Sequence, residues 1–112
     1  PGNTNAAMGY GIDAFRRRDP LAWPGFATES DVRGLPRCVI SVNECDPLRD
    51  EGVAFYRLLV RAGVDARCRD AVGTVHGAEL MVAAVPEVSL DAARAIAAFA
   101  SGRDAPPPMP RL

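Results

Sequence analysis

The 112-residue sequence contains no lysine and a single histidine, and all 13 of its basic residues are arginine. These are balanced by 14 acidic residues, so the net charge is -1. A chain without a basic excess is not expected to bind nucleic acid or an anionic membrane surface through charge. The missing lysine, beside abundant alanine, glycine and proline, fits a GC-rich coding bias and favours a bacterial source.

Long apolar runs are also missing: none approaches the length that crosses a membrane, and no signal-peptide pattern is present. We therefore expect a cytoplasmic protein with no membrane span. The sequence begins at Pro1 rather than at a methionine, so the N-terminus of the gene product can lie elsewhere.

The three cysteines, Cys38, Cys45 and Cys68, form no Cys-x-x-Cys pair, and no His-x-x-x-His sequence accompanies them. A structural zinc site is therefore not expected. An odd number of cysteines, two of them in strand-like segments, predicts reduced and buried thiols rather than disulfides. We expect neither a metal nor an organic cofactor.

With 48% apolar and 24% charged residues, the composition is that of a soluble globular domain or a piece of one. Residues 1–37 are rich in glycine, proline, asparagine and aspartate, which predicts loops with one helical stretch at 7–17. Residues 103–112 are predicted to be a proline-rich tail.

The middle of the chain has the pattern of a βαβ unit. Residues 38–43 form a continuous, largely β-branched run, which predicts a parallel strand covered on both faces. Apolar residues then recur with helical spacing over 50–62, and Gly63 provides a stop. Residues 66–72 alternate with charges on both faces, as in a strand near a sheet edge. This order predicts parallel pairing with a right-handed crossover. The predicted inward face of the helix consists of Phe55, Leu58, Leu59 and Ala62.

A final helix is predicted from a cap at Ser89 to Ala100, with Leu90 and Ile96 facing inward and Gly102 at its end. Two strands and about three helices bury little apolar surface. We therefore interpret residues 1–102 as the C-terminal part of a larger α/β domain, whose N-terminal portion is a required partner.

Two polar residues follow the predicted strands: Asp46 the first and His76 the second. Loops after parallel strands share one edge of the sheet, and neighbouring strands lie about 5 Å apart. If the strands are neighbours, the Asp46 carboxylate can accept a hydrogen bond from His76 Nδ1 and leave Nε2 as a general base. The alternatives are that Asp46 only stabilises a turn and that His76 is only a solvent-exposed side chain.

The residues around this pair resemble a known family. DPLRDEG at 46–52, the amphipathic helix that follows and GTVHG at 73–77 closely resemble the end of hormone-sensitive-lipase-like α/β-hydrolases, which include bacterial carboxylesterases. DPLAWP at 19–24 is similar to the segment after the sixth strand of those enzymes. The resemblance covers about residues 15–100 and includes the 30-residue spacing between the aspartate and the histidine.

The resemblance implies an α/β-hydrolase fold, here its last two parallel strands with flanking helices, and carboxylic ester hydrolysis by a Ser-His-Asp triad. Asp46 matches the triad acid and His76 the triad base. The family's Gly-x-Ser-x-Gly elbow and HGGG-type oxyanion loop have no counterpart here. Esterase activity is therefore expected only together with the N-terminal portion; the alternative is a noncatalytic relative that acts as a binding module. The serines that lack the flanking glycines are Ser30, Ser41, Ser89 and Ser101.

Three further residues are candidates for contact with a small-molecule ester. Trp23 and Phe26 can line an acyl or alcohol pocket, although packing in a core explains them equally well. Gly77 directly follows the candidate base. Ala78 stands where the family often carries an aromatic residue, which leaves the shape of the pocket and the acyl length of the substrate open.

The remaining side chains near Asp46 are given structural roles. We expect Cys45 to pack at the end of the strand, Glu44 to be solvated in the loop, and Glu51 to belong to the start of the helix. The edge strand at 66–72 can pair across a two-fold axis to form a homodimer, or its arginines can simply protect a free edge.

Overall fold

A computed structural model describes residues 2–104, with side chains from residue 8 onward. The chain divides into two compact units, one that ends at Thr74 and one that begins at Val75. The assignment of residues 1–102 to one catalytic domain stays a prediction.

Within the described residues, the first unit contains three helices, two strands and a 3₁₀ turn. In chain order these are α1 (Gly2–Arg16), the 3₁₀ turn (Pro24–Phe26), α2 (Glu29–Val32), β1 (Cys38–Asn43), α3 (Arg49–Arg61) and β2 (Ala66–Ala71). The predicted bounds of both strands and of the central helix are confirmed to within one residue.

β1 and β2 pair in parallel, as predicted, and form a two-stranded sheet in the described part of the chain. Cys38 lies opposite Ala66 at one end, and Asn43 lies opposite Ala71 at the other. Because the strands are parallel and in full register, both loops that carry polar residues leave the sheet at the same edge.

α3 packs against the sheet and against α2. Leu59 is fully buried and forms the core of this unit with Val32, Ala62 and Val64. Phe55 and Leu58, the other members of the predicted inward face, are partly buried against this core. The helical spacing therefore identified the correct face of α3.

The ends of α3 also follow the prediction. Asp50 and Glu51 lie in its first turn and Arg61 in its last, where their charges complement the helix dipole. Gly63 follows with φ of 82°, the left-handed conformation that commonly ends a helix.

Residues before β1 are more helical than predicted. The expected helical stretch at 7–17 is part of the longer α1, which is broken at Gly11 (φ 116°, ψ 89°), a conformation that suits only glycine. α2 was not predicted. Its start is stabilised by Asp31, whose Oδ2 accepts a hydrogen bond from Thr28 N–H (2.7 Å), and a Thr-x-x-Asp sequence is a weak signal for such a start.

In its described residues, the second unit contains a 3₁₀ turn (Ala78–Leu80) and α4 (Pro86–Ala100). The prediction that Ser89 caps α4 is wrong, because the helix begins three residues earlier at Pro86, whose fixed φ suits a first helical position. The Ser89 hydroxyl instead donates to the Val85 carbonyl (3.4 Å). The predicted end at Ala100 is confirmed, and Gly102 follows it with φ of 69°.

Two expectations for the end of the chain have different outcomes. The predicted inward face of α4 is wrong, because Leu90 and Ile96 are 50% and 67% exposed. The partly buried apolar residues of this helix include Val88, Ala92 and Phe99 instead. The proline-rich tail predicted at 103–112 lies outside the described residues from position 105 onward.

Among the helices of residues 2–104, none is both long and apolar enough to cross a membrane. Association of two copies through β2 stays a prediction, and so does a cytoplasmic location.

Gly52→Ala is expected to destabilise the protein, although alanine favours a helix more than glycine does. A Cβ at this position would lie 2.6 Å from Cγ1 of Val42, a stiff β-branched side chain. Overpacking costs about 1–3 kcal/mol and exceeds the helix-propensity gain of about 1 kcal/mol. We expect the free energy of unfolding, measured by urea denaturation, to fall.

Val42→Ala provides the matched background, because it removes the atom that the new Cβ would meet. Gly52→Ala should be better tolerated in that background than in the original chain. An equal loss in both backgrounds would contradict the close approach of α3 to β1.

Candidate active site

Asp46 begins the turn between β1 and α3. Its Oδ1 accepts a hydrogen bond from Leu48 N–H (2.8 Å), and its carbonyl oxygen accepts one from Arg49 N–H (3.0 Å). Pro47, between Asp46 and Leu48, has no backbone N–H that would need a hydrogen-bond acceptor. The turn-stabilising role that the sequence allows for Asp46 is therefore present in the structure.

Hydrogen bonds tie the loop after β1 to the loop after β2. Cys45 N–H donates to the Thr74 carbonyl (2.9 Å), and Glu44 N–H donates to the Ala71 carbonyl (3.2 Å). Glu44 Oε2 also accepts a hydrogen bond from Gly73 N–H (2.5 Å). Glu44 is exposed in the loop, as expected, and its carboxylate in addition holds the second loop.

A buried polar contact accompanies these hydrogen bonds. Asn43, the last residue of β1, is 5% exposed. Among the described residues it is the polar side chain that is classed as buried. Its side-chain Oδ1 accepts a hydrogen bond from Thr74 Oγ1 (2.6 Å). Burying an amide costs about 1–3 kcal/mol unless it is hydrogen-bonded, so this contact offsets a substantial penalty.

His76 and Gly77 lie in the second unit, in the turn after β2. Ala78 N–H donates to the Val75 carbonyl (3.1 Å) across this turn. Gly77 has φ of 68°, which glycine adopts without strain, and His76 is exposed. Asp46 belongs to the first unit, so its pairing with His76 stays a prediction.

An ion pair fixes the start of α3 to β2. Arg49 Nε and Nη2 donate to Asp70 Oδ2 at 2.9 and 2.7 Å, and Nη1 donates to Asp50 at 3.0 Å. The hydrogen bond to Asp70 and the charge of that carboxylate raise the pKa of the Arg49 guanidinium. Because Arg49 follows Asp46 by three residues, the pair also restrains the turn that carries Asp46.

An open groove of about 1270 Å³ lies within the first unit. We call it the aromatic groove, because Tyr10, Phe15, Trp23 and Phe26 are among its lining residues, together with Phe55 of α3. The ring of Phe15 lies 5.3 Å from the rings of both Trp23 and Phe26, measured between centroids. Trp23 and Phe26 therefore pack in an aromatic cluster and also border open space, and their contact with a substrate stays a prediction.

The three cysteines are free thiols, but they are less buried than predicted. Cys45 is exposed, so its expected packing role is wrong: β1 ends two residues earlier, and Cys45 lies in the loop that precedes the Asp46 turn. Burial and, to a smaller extent, the charge of Asp70 raise the pKa of the half-buried Cys68 thiol. In the described part of the chain, no group of three or more His, Cys, Asp or Glu residues is arranged to hold a metal ion.

The sequence predictions missed two contacts that hold the site. The Asn43–Thr74 contact joins residues 31 positions apart, and the Arg49–Asp70 pair joins residues 21 positions apart. A faint signal exists for the first, since an amide at the end of an apolar strand needs a hydrogen-bond partner. No periodic pattern indicates the second.

Parallel strands, a crossover helix and polar loops at one sheet edge are features of an α/β fold with a parallel sheet. A family model described as alpha/beta hydrolase fold matches residues 3–80. This match covers more than half of the chain, and the chain therefore belongs to the α/β-hydrolase family.

Comparison with solved structures and curated proteins confirms the resemblance to hormone-sensitive-lipase-like hydrolases. The esterase Est22 is 66% identical with a TM-score of 0.84, over 86% of this chain and 28% of that one. Brefeldin A esterase, a bacterial homologue of human hormone-sensitive lipase, is 47% identical with a TM-score of 0.77, over 84% of this chain and 26% of that one. Carboxylesterase NlhH of Mycobacterium tuberculosis is 36% identical over 70 residues, which are 62% of this chain and 22% of that protein. The chain thus spans about a quarter of the length of these relatives.

Arg49 and Asp70 are expected to be energetically coupled. A double-mutant cycle of Arg49→Met and Asp70→Asn should give a favourable coupling free energy that added salt weakens, because both side chains are partly exposed to solvent. The measurement is urea denaturation at low salt. Asp13 and Arg16, which lie 3.6 Å apart, form the control pair. Their side chains are 77% and 74% exposed, so their coupling free energy should be near zero. Equal coupling in the two pairs would contradict a special role for Arg49.

The cysteines are expected to react with iodoacetamide in the order of their exposure. Cys45 should be alkylated first and Cys68 last, because the thiolate is the reactive form and burial raises the pKa of the Cys68 thiol. Peptide mass spectrometry after timed labelling at pH 8 measures the order. In the urea-unfolded chain the difference should disappear, and equal rates in the folded protein would show that the burial is not maintained.

Proposed function

We propose that this chain supplies the acid and the base of a Ser-His-Asp triad in a carboxylesterase, with Asp46 as the acid and His76 as the base. The nucleophilic serine lies in another part of the complete polypeptide. The observation that carries the proposal is the hydrogen bond from Cys45 N–H to the Thr74 carbonyl (2.9 Å), which joins the two loops beside these residues. The names of the relatives, which are esterases, support it.

The short chain lengths on either side of that hydrogen bond give further support. Asp46 directly follows Cys45, and His76 follows Thr74 by two residues. Two residues of extended chain span at most about 7 Å. The carboxylate and the imidazole are therefore both tethered closely to one main-chain contact.

In the proposed mechanism, Asp46 accepts a hydrogen bond from His76 Nδ1 and holds the neutral imidazole with its lone pair on Nε2. Nε2 takes the proton of the serine hydroxyl as the serine oxygen attacks the ester carbonyl, and then passes that proton to the departing alkoxide. A water molecule repeats the two proton transfers to release the acid from the acyl-enzyme. Asp46 stays ionised and stabilises the imidazolium that exists between the two proton transfers.

The turn contact of Asp46 is compatible with this role. A carboxylate has two oxygens and about four lone-pair positions, so accepting one hydrogen bond from Leu48 N–H at Oδ1 does not prevent it from accepting others. That contact orients the carboxylate, as a triad acid requires.

The proposed substrate is a small carboxylic ester. Trp23 and Phe26, at the aromatic groove, are candidates for contact with its acyl or alcohol group. Gly77 is a further candidate, because it adds no side chain next to the base. One solved structure of Est22 contains p-nitrophenol, so p-nitrophenyl acetate is a suitable first probe.

Asp46→Asn and His76→Ala are expected to abolish most esterase activity of the complete polypeptide. Replacing the corresponding aspartate in a serine protease lowers turnover by about 10⁴-fold, and loss of the base should be at least as severe. Turnover of p-nitrophenyl acetate measures the effect, and circular dichroism checks that folding is retained.

Asp13→Asn is the matched control, since this carboxylate is 77% exposed on α1 and should not affect turnover. Near-normal turnover of Asp46→Asn would overturn the assignment. The noncatalytic alternative is tested separately: an organophosphate should label one serine of the complete protein, and a protein that neither labels nor turns over ester is a binding module.

A further inference from the structure

The Thr74 hydroxyl makes two close contacts beside the candidate site. Its Oγ1 lies 2.6 Å from Oδ1 of the Asn43 side chain and 2.5 Å from the Ala71 carbonyl oxygen. Asn43 is 5% exposed and Thr74 is half-buried, so water has little access to these contacts. Both partners lie at the carboxyl end of the sheet, where Asn43 pairs in register with Ala71.

Counting protons determines how these contacts are made. A hydroxyl has one proton and can donate one hydrogen bond, whereas a carbonyl oxygen can only accept. Asn43 Oδ1 and the Ala71 carbonyl oxygen are both acceptors, so the Thr74 hydroxyl is the donor between them. The Thr74 hydroxyl therefore joins the end of β1 to the end of β2.

We propose that Thr74, held by Asn43, is a positioning residue that sets the path of the loop carrying His76 and so aligns His76 with Asp46. This inference rests on the proposed function, and it adds a residue pair that the triad itself does not require. The Thr74 carbonyl oxygen accepts a hydrogen bond from Cys45 N–H, and the Thr74 hydroxyl donates to Asn43 Oδ1. Both its main chain and its side chain are therefore fixed to the end of β1 and the loop after it.

The remaining hydrogen bonds explain why the expected effect is partial. Without the Thr74 hydroxyl, the hydrogen bonds from Cys45 N–H to Thr74 and from Gly73 N–H to Glu44 can still form. The loop then stays beside β1 but loses the contact that restrains rotation at position 74. A displacement of about 1 Å in a catalytic group can cost about 100-fold in rate.

Thr74→Val tests the proposal, because valine keeps the shape of threonine and removes the hydroxyl. In the complete polypeptide acting on p-nitrophenyl acetate, we expect kcat to fall about 10- to 100-fold while KM changes by less than about twofold. Thr74→Ser, which restores the hydroxyl, should recover most of kcat. Thr28→Val is the matched control, since it removes a threonine hydroxyl from the start of α2 and should leave kcat unchanged.

A kinetic cycle with Asp46→Asn separates positioning from general stabilisation. If Thr74 acts through the Asp46–His76 alignment, Thr74→Val should have little further effect once Asp46→Asn has removed the aligned pair. A full additional loss in that background would overturn the proposal, as would unchanged kcat in Thr74→Val or failure of Thr74→Ser to recover it.

Asn43→Ala provides a second test from the strand side, and it serves also if Thr74→Val does not fold. It should lower kcat in the same direction with KM preserved, and unchanged kcat would contradict a positioning role for the Asn43–Thr74 contact. Failure of the proposed function is recognised differently, because Asp46→Asn would then leave the turnover of the otherwise unchanged polypeptide intact.

Discussion

Parallel pairing of β1 with β2 is the constraint on which the rest of this structure depends. Parallel strands need a crossover connection, which α3 provides, and they bring both of their carboxyl ends to one edge of the sheet. In this chain the register is complete, so Asn43 and Ala71 end the two strands side by side. Every contact of the candidate site, from the Asp46 turn to the Thr74 hydroxyl, lies within a few residues of that edge.

Two adjacent loops do not by themselves hold a defined geometry, because each ordered backbone residue costs about 1–2 kcal/mol of conformational entropy. This loss of entropy is offset by hydrogen bonds between the two loops, made by the three consecutive residues 43–45. One of these contacts is buried, where an unsatisfied polar group is most costly. The polar residue at the end of β1 therefore adds no apolar packing, but its hydrogen bond helps to hold the two loops in one arrangement.

Elements whose residue pattern recurs along the chain were predicted correctly, whereas single contacts without such a pattern were missed. The β-branched run of β1 and the helical spacing of α3 recur over several residues, so their bounds and inward face could be read with an error of one residue. The start of α4 was misjudged because Ser89 is a good cap in isolation, whereas Pro86 was already compatible with the first turn. Asp46 and His76 are predicted site residues, from their places after the two strands and from a family motif. The roles of Glu44 and Thr74 depend on contacts 29 and 31 residues apart along the chain, which no local pattern encodes.

α3 connects the turn that carries Asp46 with the aromatic groove. At its start, Arg49 is held to β2 by Asp70, and the preceding turn is held by the Asp46 carboxylate. Further along, Phe55 lines the aromatic groove while Leu59 is fully buried in the core. A helix fixed at both places cannot shift without disturbing the turn before it. A rigidly held carboxylate suits a group that orients an imidazole, because that role requires constant direction and no movement during the reaction.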